Sequence, residues 1–334
     1  MFGLLRRRFE GAFRRPLEHP SQIEASPRAP GEADRLLRRL EWTVIRRLDG
    51  LLQGDYRTLF RGMGLDLADL REYQPHDDVR HIDWNVTARM QAPHVREFQE
   101  DREVAAWFLM DLSGSVDFGS GGVKKRELAT AFAAVLGRLL TRHGNRIGAM
   151  LYRDGVDAVI PAGSGRRHVL RLVESLRADA TPKRGAGRET DLAELLGTAH
   201  RTLKRRSAVF VVSDFVGEPG WERALGLLAR RHEVVAVRLF DPLENALPDL
   251  GLVVMEDAET GEQLYVDAHD SAFRARFAEA AQAREAALRE AMASAGVDCL
   301  ELSTAEPMDA ALARFMKLRK RRSQLAAGGI LQAR

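Results

Sequence analysis

From about residue 100 onward, short apolar runs alternate with segments whose apolar residues recur at helical spacing. Residues 104–110 form an unbroken apolar run. Residues 123–142 place Leu128, Phe132, Val135, Leu136, Leu139 and Leu140 on one helical face. Residues 146–152 and 158–161 flank Asp154-Gly155, which predicts a hairpin. Residues 168–176 and 191–203 read as helices, 208–213 as a buried strand, 221–230 as a helix and 233–240 as a second buried strand. A hairpin around Glu259-Thr260-Gly261 is expected over 251–267. An Ala-rich helix over 271–293, a strand over 297–302 and a helix over 308–319 follow. Continuous apolar strands must be covered on both faces. The predicted fold is therefore α/β: a doubly wound, mainly parallel sheet with helices on both faces, plus a smaller N-terminal extension.

The pattern changes before residue 100. Residues 1–32 are rich in Arg, Pro and Glu, and Pro16, Pro20, Pro27 and Pro30 break any long helix. This segment reads as a flexible basic arm, where limited proteolysis is expected to cut first. Residues 33–98 read as an extension packed on the core, beginning with a helical pattern at Leu36, Leu37, Leu40, Val44, Ile45 and Leu48. The core is expected over 99–305, with a C-terminal helix and basic tail over 306–334.

Composition narrows the class. The chain has 334 residues, 45% apolar and 30% charged, with a formal net charge of only +3. That near-balance argues against a dedicated nucleic-acid binder. The positive charge collects at the two ends, which allows a weak contact with a membrane surface. No run approaches the 18 or so apolar residues of a membrane span. The start places its apolar residues before its charges, the reverse of a secretory signal. With one cysteine, Cys299, no intrachain disulfide can form. A cytoplasmic protein is expected, with Cys299 a small buried hydrophobe.

Three motifs fall where strands end, the place where doubly wound sheets bind ligands. Asp111-x-Ser113-x-Ser115 follows the first buried strand. Thr190-Asp191 opens a helix after a Gly-rich loop, and Ser213-Asp214 follows the strand over 208–213. Taken alone, Thr190 reads as a helix N-cap. Together the motifs collect carboxylates and hydroxyls, the hard oxygen donors that suit Mg2+. His76, His81 and His94 lie close together beside carboxylates, but their spacing matches no standard zinc pattern.

Asp111, Ser113, Ser115, Thr190 and Asp214, in that order, resemble the metal-ion-dependent adhesion site of von Willebrand factor A domains. The resemblance implies that all five hold one divalent cation, directly or through water. Mg2+ is the expected ion, with Mn2+ and Ca2+ as alternatives. An open position on the ion would take an acidic residue from a partner. Many members of that family carry Gly after the last Asp, where this chain has Phe215. The block from Arg71 to Arg89, preceded by Gly62-x-Gly64, resembles the signature of the bacterial DUF58 family, with His76 where Gly is usual. The likeness extends over about residues 36–250. It implies a MoxR-type AAA+ ATPase as partner, an unknown protein client, and an adaptor role in chaperone-like remodelling or assembly.

Within that block, Arg71, Tyr73, Asp77, Asp78, Arg80, Asp83, Trp84 and Arg89 read either as an ion-pair network clamping the extension to the sheet or as a recognition surface. The chain has no Walker motif, so ATP hydrolysis would come from another protein. The competing class is a magnesium-dependent phosphatase or hydrolase. Haloacid dehalogenase-like phosphatases carry Asp-x-Asp where this chain has Ser113, and the general acid is then missing. There is no Gly-x-Ser-x-Gly elbow either. The sequence therefore favours a binding protein over an enzyme.

Overall fold

A computed structural model describes residues 5–7, 31–45, 69–74, 79, 82, 84, 87, 92–97, 105–178, 190–257 and 261–331. In chain order the strands are β1 (Leu5–Arg7), β2 (Asp69–Glu72), β3 (His94–Glu97), β4 (Ala105–Asp111), β5 (Arg146–Tyr152), β6 (Val156–Gly163), β7 (Ala208–Ser213), β8 (Glu233–Phe240), β9 (Leu252–Asp257), β10 (Gln263–Asp267) and β11 (Asp298–Ser303). The helices are α1 (Glu32–Leu40), α2 (Lys125–Arg142), α3 (Arg166–Arg177), α4 (Leu192–Thr202), α5 (Trp221–Ala229), α6 (Ser271–Ala295) and α7 (Met308–Leu331).

Six strands make the central sheet in the order β11-β8-β7-β4-β5-β6. All run parallel except β6, which closes one edge antiparallel to β5. The chain winds from β4 to β5 and β6 on one side, then crosses back to β7, β8 and β11 on the other. Winding therefore reverses between β4 and β7, and the crevice at their carboxyl ends is the switch point where such sheets bind ligands.

The unbroken apolar run of β4 splits by strand period into two faces. Phe108 and Met110 join the larger core cluster with α2, α3 and α7, while Leu109 joins the opposite cluster with α4 and α5. Phe108 stacks on Phe210 at 5.5 Å between ring centres, and Phe132 of α2 meets both rings edge-on at 6.4 and 6.2 Å. Each such buried side chain contributes about 1.5–3 kcal/mol by leaving water. Helix α2 is buried well beyond its predicted stripe, Ala129, Ala133 and Ala134 included, because α1 and α3 cover the side turned away from the sheet.

Helix α1 reaches the larger cluster through Ala33, Leu37 and Leu40, and Ile45 of the following π-helical turn joins them. Ion pairs Asp34–Arg166 at 2.5 Å, Glu41–Arg138 at 2.6 Å and Glu32–Arg177 at 3.0 Å fringe this contact. Such partly exposed pairs contribute at most about 1 kcal/mol each, so apolar burial is what holds α1. Helix α7 belongs to the same cluster through Met308, Ala311, Leu312, Phe315 and Met316. The core therefore continues past residue 305, where the sequence reading ended it.

A separate three-stranded sheet, β1-β9-β10, encloses Leu247, Val253, Met255, Val266 and Ala268. Leu5–Arg7, expected as part of a mobile arm, pairs there antiparallel with Met255–Asp257. The remainder of residues 1–30 lies outside the described residues.

Candidate metal site

Strand β4 ends on Asp111, and the chain then turns through Leu112 and Ser113 into a 3-10 turn, Gly114–Asp117. Asp111 is fully buried. Its Oδ1 accepts from the Ser113 backbone N–H at 3.0 Å and from Ser113 Oγ at 2.6 Å. Its Oδ2 accepts from Ser213 Oγ at 2.6 Å. Ser113 Oγ stands 3.2 Å from Ser115 Oγ. A hydroxyl that donates to a carboxylate keeps its lone pairs free, so the Ser113 oxygen remains an available donor to a cation.

Ser213 is the last residue of β7, and through it the two strand ends at the switch point are tied together. Its oxygen also accepts from the Phe215 N–H at 2.9 Å. Asp214 follows. Its Oδ1 accepts from the Val216 N–H at 3.2 Å, and its Oδ2 accepts from Lys125 Nζ at 2.7 Å. Phe215 has φ of 58°, the left-handed region that favours glycine. Glycine adopts that region without strain. Here the phenylalanine ring packs against Trp221 at 5.2 Å and stays buried, which offsets the backbone strain.

Thr190 is buried, and its carbonyl accepts from the Glu218 N–H at 2.9 Å. This sets it against the loop that descends from Asp214. Gly217, at φ of 146°, makes the approach possible: a Cβ there would stand 2.2 Å from the Thr190 carbonyl oxygen. The cap of α4 is Asp191, whose side chain accepts from Glu194 N–H at 3.0 Å, so the capping role expected of Thr190 falls one residue later. The Asp191 N–H donates to Tyr152 Oη at 2.9 Å, anchoring this segment to β5.

Behind Asp214 lies a charge network. Lys125, fully buried, donates to Asp214 and also to Glu244 Oε1 at 2.6 Å. Glu244 accepts the Asp241 N–H at 3.1 Å. Asp241 accepts from Ser120 Oγ at 2.7 Å and from Thr304 Oγ1 at 2.6 Å. The sequence reading missed Lys125, Glu244, Asp241 and the Asp111 contact of Ser213. One signal was available: Lys124-Lys125-Arg126 puts three cations at the start of a helix, where the dipole disfavours them.

The electrostatics follow from burial. Burial, then the Asp214 carboxylate, pushes the Asp111 pKa up to about 6, while hydrogen bonds from Ser113 and Ser213 pull it back. For Lys125, burial opposes the charge, but Asp214 and Glu244 outweigh it and its pKa lies above the ordinary lysine value. Burial raises Glu244, against the pull of Lys125. The donor chemistry suits a hard divalent cation: two repelling carboxylates and converging hydroxyls, with Asp111 short of positive charge.

The signature block is described only in part. Asp77, Asp78, Arg80, Asp83 and Arg89, together with His76 and His81, lie outside the described residues. Arg71 sits in β2, which pairs antiparallel with β3. Tyr73 is half-buried and its N–H donates to the Pro93 carbonyl at 2.8 Å. Trp84 is 69% exposed. His94 Nδ1 pairs with the Ala92 carbonyl at 2.7 Å. Among the described residues no cluster of three or more His, Cys, Asp or Glu side chains is placed to hold a metal. Cys299 is half-buried rather than enclosed, with burial raising its pKa to about 12.

The sheet order, the single antiparallel edge and the helices on both faces define a doubly wound, mainly parallel α/β protein. The family profile described as "Protein of unknown function DUF58" matches residues 69–287, and the chain belongs to that family. Proteins of Mycobacterium tuberculosis and Mycobacterium bovis, both described as uncharacterised, are 41% identical over 286 residues, 85% of this chain and 89% of each relative. Among solved structures, the conserved hypothetical protein BatB from Bacteroides thetaiotaomicron is similar with a TM-score of 0.42 at 14% identity. The match covers 65% of this chain and 99% of that one. An aerotolerance-related membrane protein from Bacteroides fragilis gives 0.41 at 14%, covering 64% and 98%.

Proposed function

We propose that this chain is a metal-dependent protein-binding adaptor that works with a MoxR-type AAA+ ATPase in chaperone-like remodelling or assembly. The observation that carries the reading is that Asp111, bonded to Ser113 with Ser115 beside it at the end of β4, is tied through Ser213 to the end of β7, where Asp214 follows. With Thr190, these residues would hold a divalent cation, Mg2+ first. The cation would supply a Lewis-acidic position able to accept a carboxylate oxygen from a partner. The chain's own residues do the positioning. Ser113 and Ser213 lock Asp111 from both sides, and Lys125 with the Val216 N–H fixes Asp214.

Both carboxylates of the set are committed to these partners. Neither stands free to take a proton from water, so the geometry favours binding over turnover. The partner class comes from the family resemblance, and the reading sets the protein in the cytoplasm. No described helix is long and apolar enough to cross a membrane.

Retention of a MoxR-type ATPase from the same genome on the immobilised chain tests the proposal. EDTA, and separately Ser113→Ala, should each reduce retention about tenfold or more, the loss of roughly 1.4 kcal/mol of contact. Retention indifferent to both would take the metal out of the interface. Phosphatase activity that disappears in Asp111→Asn would place the protein among enzymes instead.

A further inference from the structure

The candidate site has a fixed positive charge built in beside it. Lys125 occupies the first turn of α2, where the helix end repels a cation, and its side chain is 0% exposed. Its ammonium is held from two directions, by Asp214 Oδ2 at 2.7 Å and by Glu244 Oε1 at 2.6 Å. Glu244 is in turn fixed by the Asp241 N–H, and Asp241 by Ser120 and Thr304. The charge therefore cannot swing away when the loops above it fill. Of the two carboxylates in the ligand set, Asp214 has a cationic partner and Asp111 accepts only from neutral donors among the described residues.

We propose that Lys125 is the specificity-determining residue of this site: it lowers the site's affinity for the divalent cation and raises the bound cation's demand for an outside carboxylate. The proposal rests on the metal-binding reading above and deepens it. A unit positive charge a few ångströms from the ligand set works against an incoming dication and in favour of an incoming anion. Glu244 moderates this effect, because it shares the ammonium with Asp214. Removing the Lys125 charge and removing the Glu244 charge should therefore move cation affinity in opposite directions.

The test is a Mn2+ titration of the full chain followed by electron paramagnetic resonance, with acetate as the carboxylate probe. Lys125→Met should bind Mn2+ on the order of tenfold more tightly, and its Mn2+-loaded form should bind acetate on the order of tenfold more weakly. Glu244→Gln, nearly isosteric and retaining the lysine, should bind Mn2+ on the order of tenfold more weakly than the parent. Lys125→Arg should return both affinities toward parental values. Damage to the fold would weaken Mn2+ binding in both charge variants, so opposite shifts separate a charge role from a structural one. Equal affinities, or shifts in one direction, would overturn the proposal. If Lys125→Met does not fold, Glu244→Gln decides: weaker Mn2+ binding with tighter acetate binding supports the proposal, and parental Mn2+ affinity or weaker binding of both overturns it. A parent chain that binds no Mn2+ removes the metal-site reading and this inference together. Parental binding that Asp111→Ala abolishes but neither charge variant shifts removes this inference only.

Discussion

In the presence of EDTA near pH 7, replacing Asp111 by Asn should stabilise the protein, by about 2–3 kcal/mol at 1.36 kcal/mol per pKa unit. Asp111 is fully buried, and burial together with the Asp214 carboxylate raises its pKa from 3.8 to about 6. The folded pKa lies above the unfolded one. The contribution of this group to stability is therefore fully present below about pH 4 and lost as the pH rises through about 6. The metal-stripped parent should weaken across that window, and Asp111→Asn should lack this component of the decline. Mg2+ should reverse the ranking. At a thousand times its Kd the ion adds about 4.1 kcal/mol to a protein that binds it, more than the Asp111 penalty, and the variant should gain nothing. Urea unfolding with EDTA and with Mg2+, at several pH values, reads all of this. A parent more stable than the variant in EDTA near pH 7 would mean that Asp111 is already balanced by positive charge.

Gly217→Ala should destabilise the protein by a comparable amount, by a different route. Residue 217 has φ of 146°, and a methyl group there would stand 2.2 Å from the Thr190 carbonyl oxygen. Backbone strain of this kind costs about 1–3 kcal/mol, and the contact forces Thr190 or the loop to move. The bond from the Glu218 N–H to the Thr190 carbonyl should be lost with it. The variant is expected to lose about 2–3 kcal/mol of stability and to bind Mn2+ on the order of tenfold more weakly. Gly122→Ala is the control, because its φ is 81° but a Cβ there meets nothing within 4 Å. If both variants lose the same stability and keep parental Mn2+ affinity, Thr190 has no part in the site.

The sheet was legible because its strands are apolar on both faces. The apolar run at 104–110 read as a covered strand once helical periods were found after it. The two aspartate motifs were legible for the same reason: each falls at the end of a strand that the pattern marks, whereas Thr190 opens a helix after a loop. Asp111 and Ser213, however, are 102 residues apart, and nothing local announces that one donates to the other. Lys125 and Glu244 are 119 residues apart, and each has an ordinary local reading. Lys125 is one of three cations opening a helix, and Glu244 completes a capping box with Asp241. Thr190 and Asp191 are both good caps, so the choice between them depended on where the neighbouring loop lies. A strand of three residues such as β1 has too few positions to show a period. The left-handed turn at 215 was hidden because a phenylalanine occupies it.

The central claim is that Asp111, Ser113, Ser115, Thr190 and Asp214 hold one divalent cation. Calorimetric titration of the metal-stripped chain with Mn2+, beside Asp111→Ala and Asp214→Ala, tests it most directly. The expected result is one ion per parent chain, with affinity lost in both variants while each still unfolds cooperatively in urea. Variants that bind Mn2+ as the parent does would contradict it.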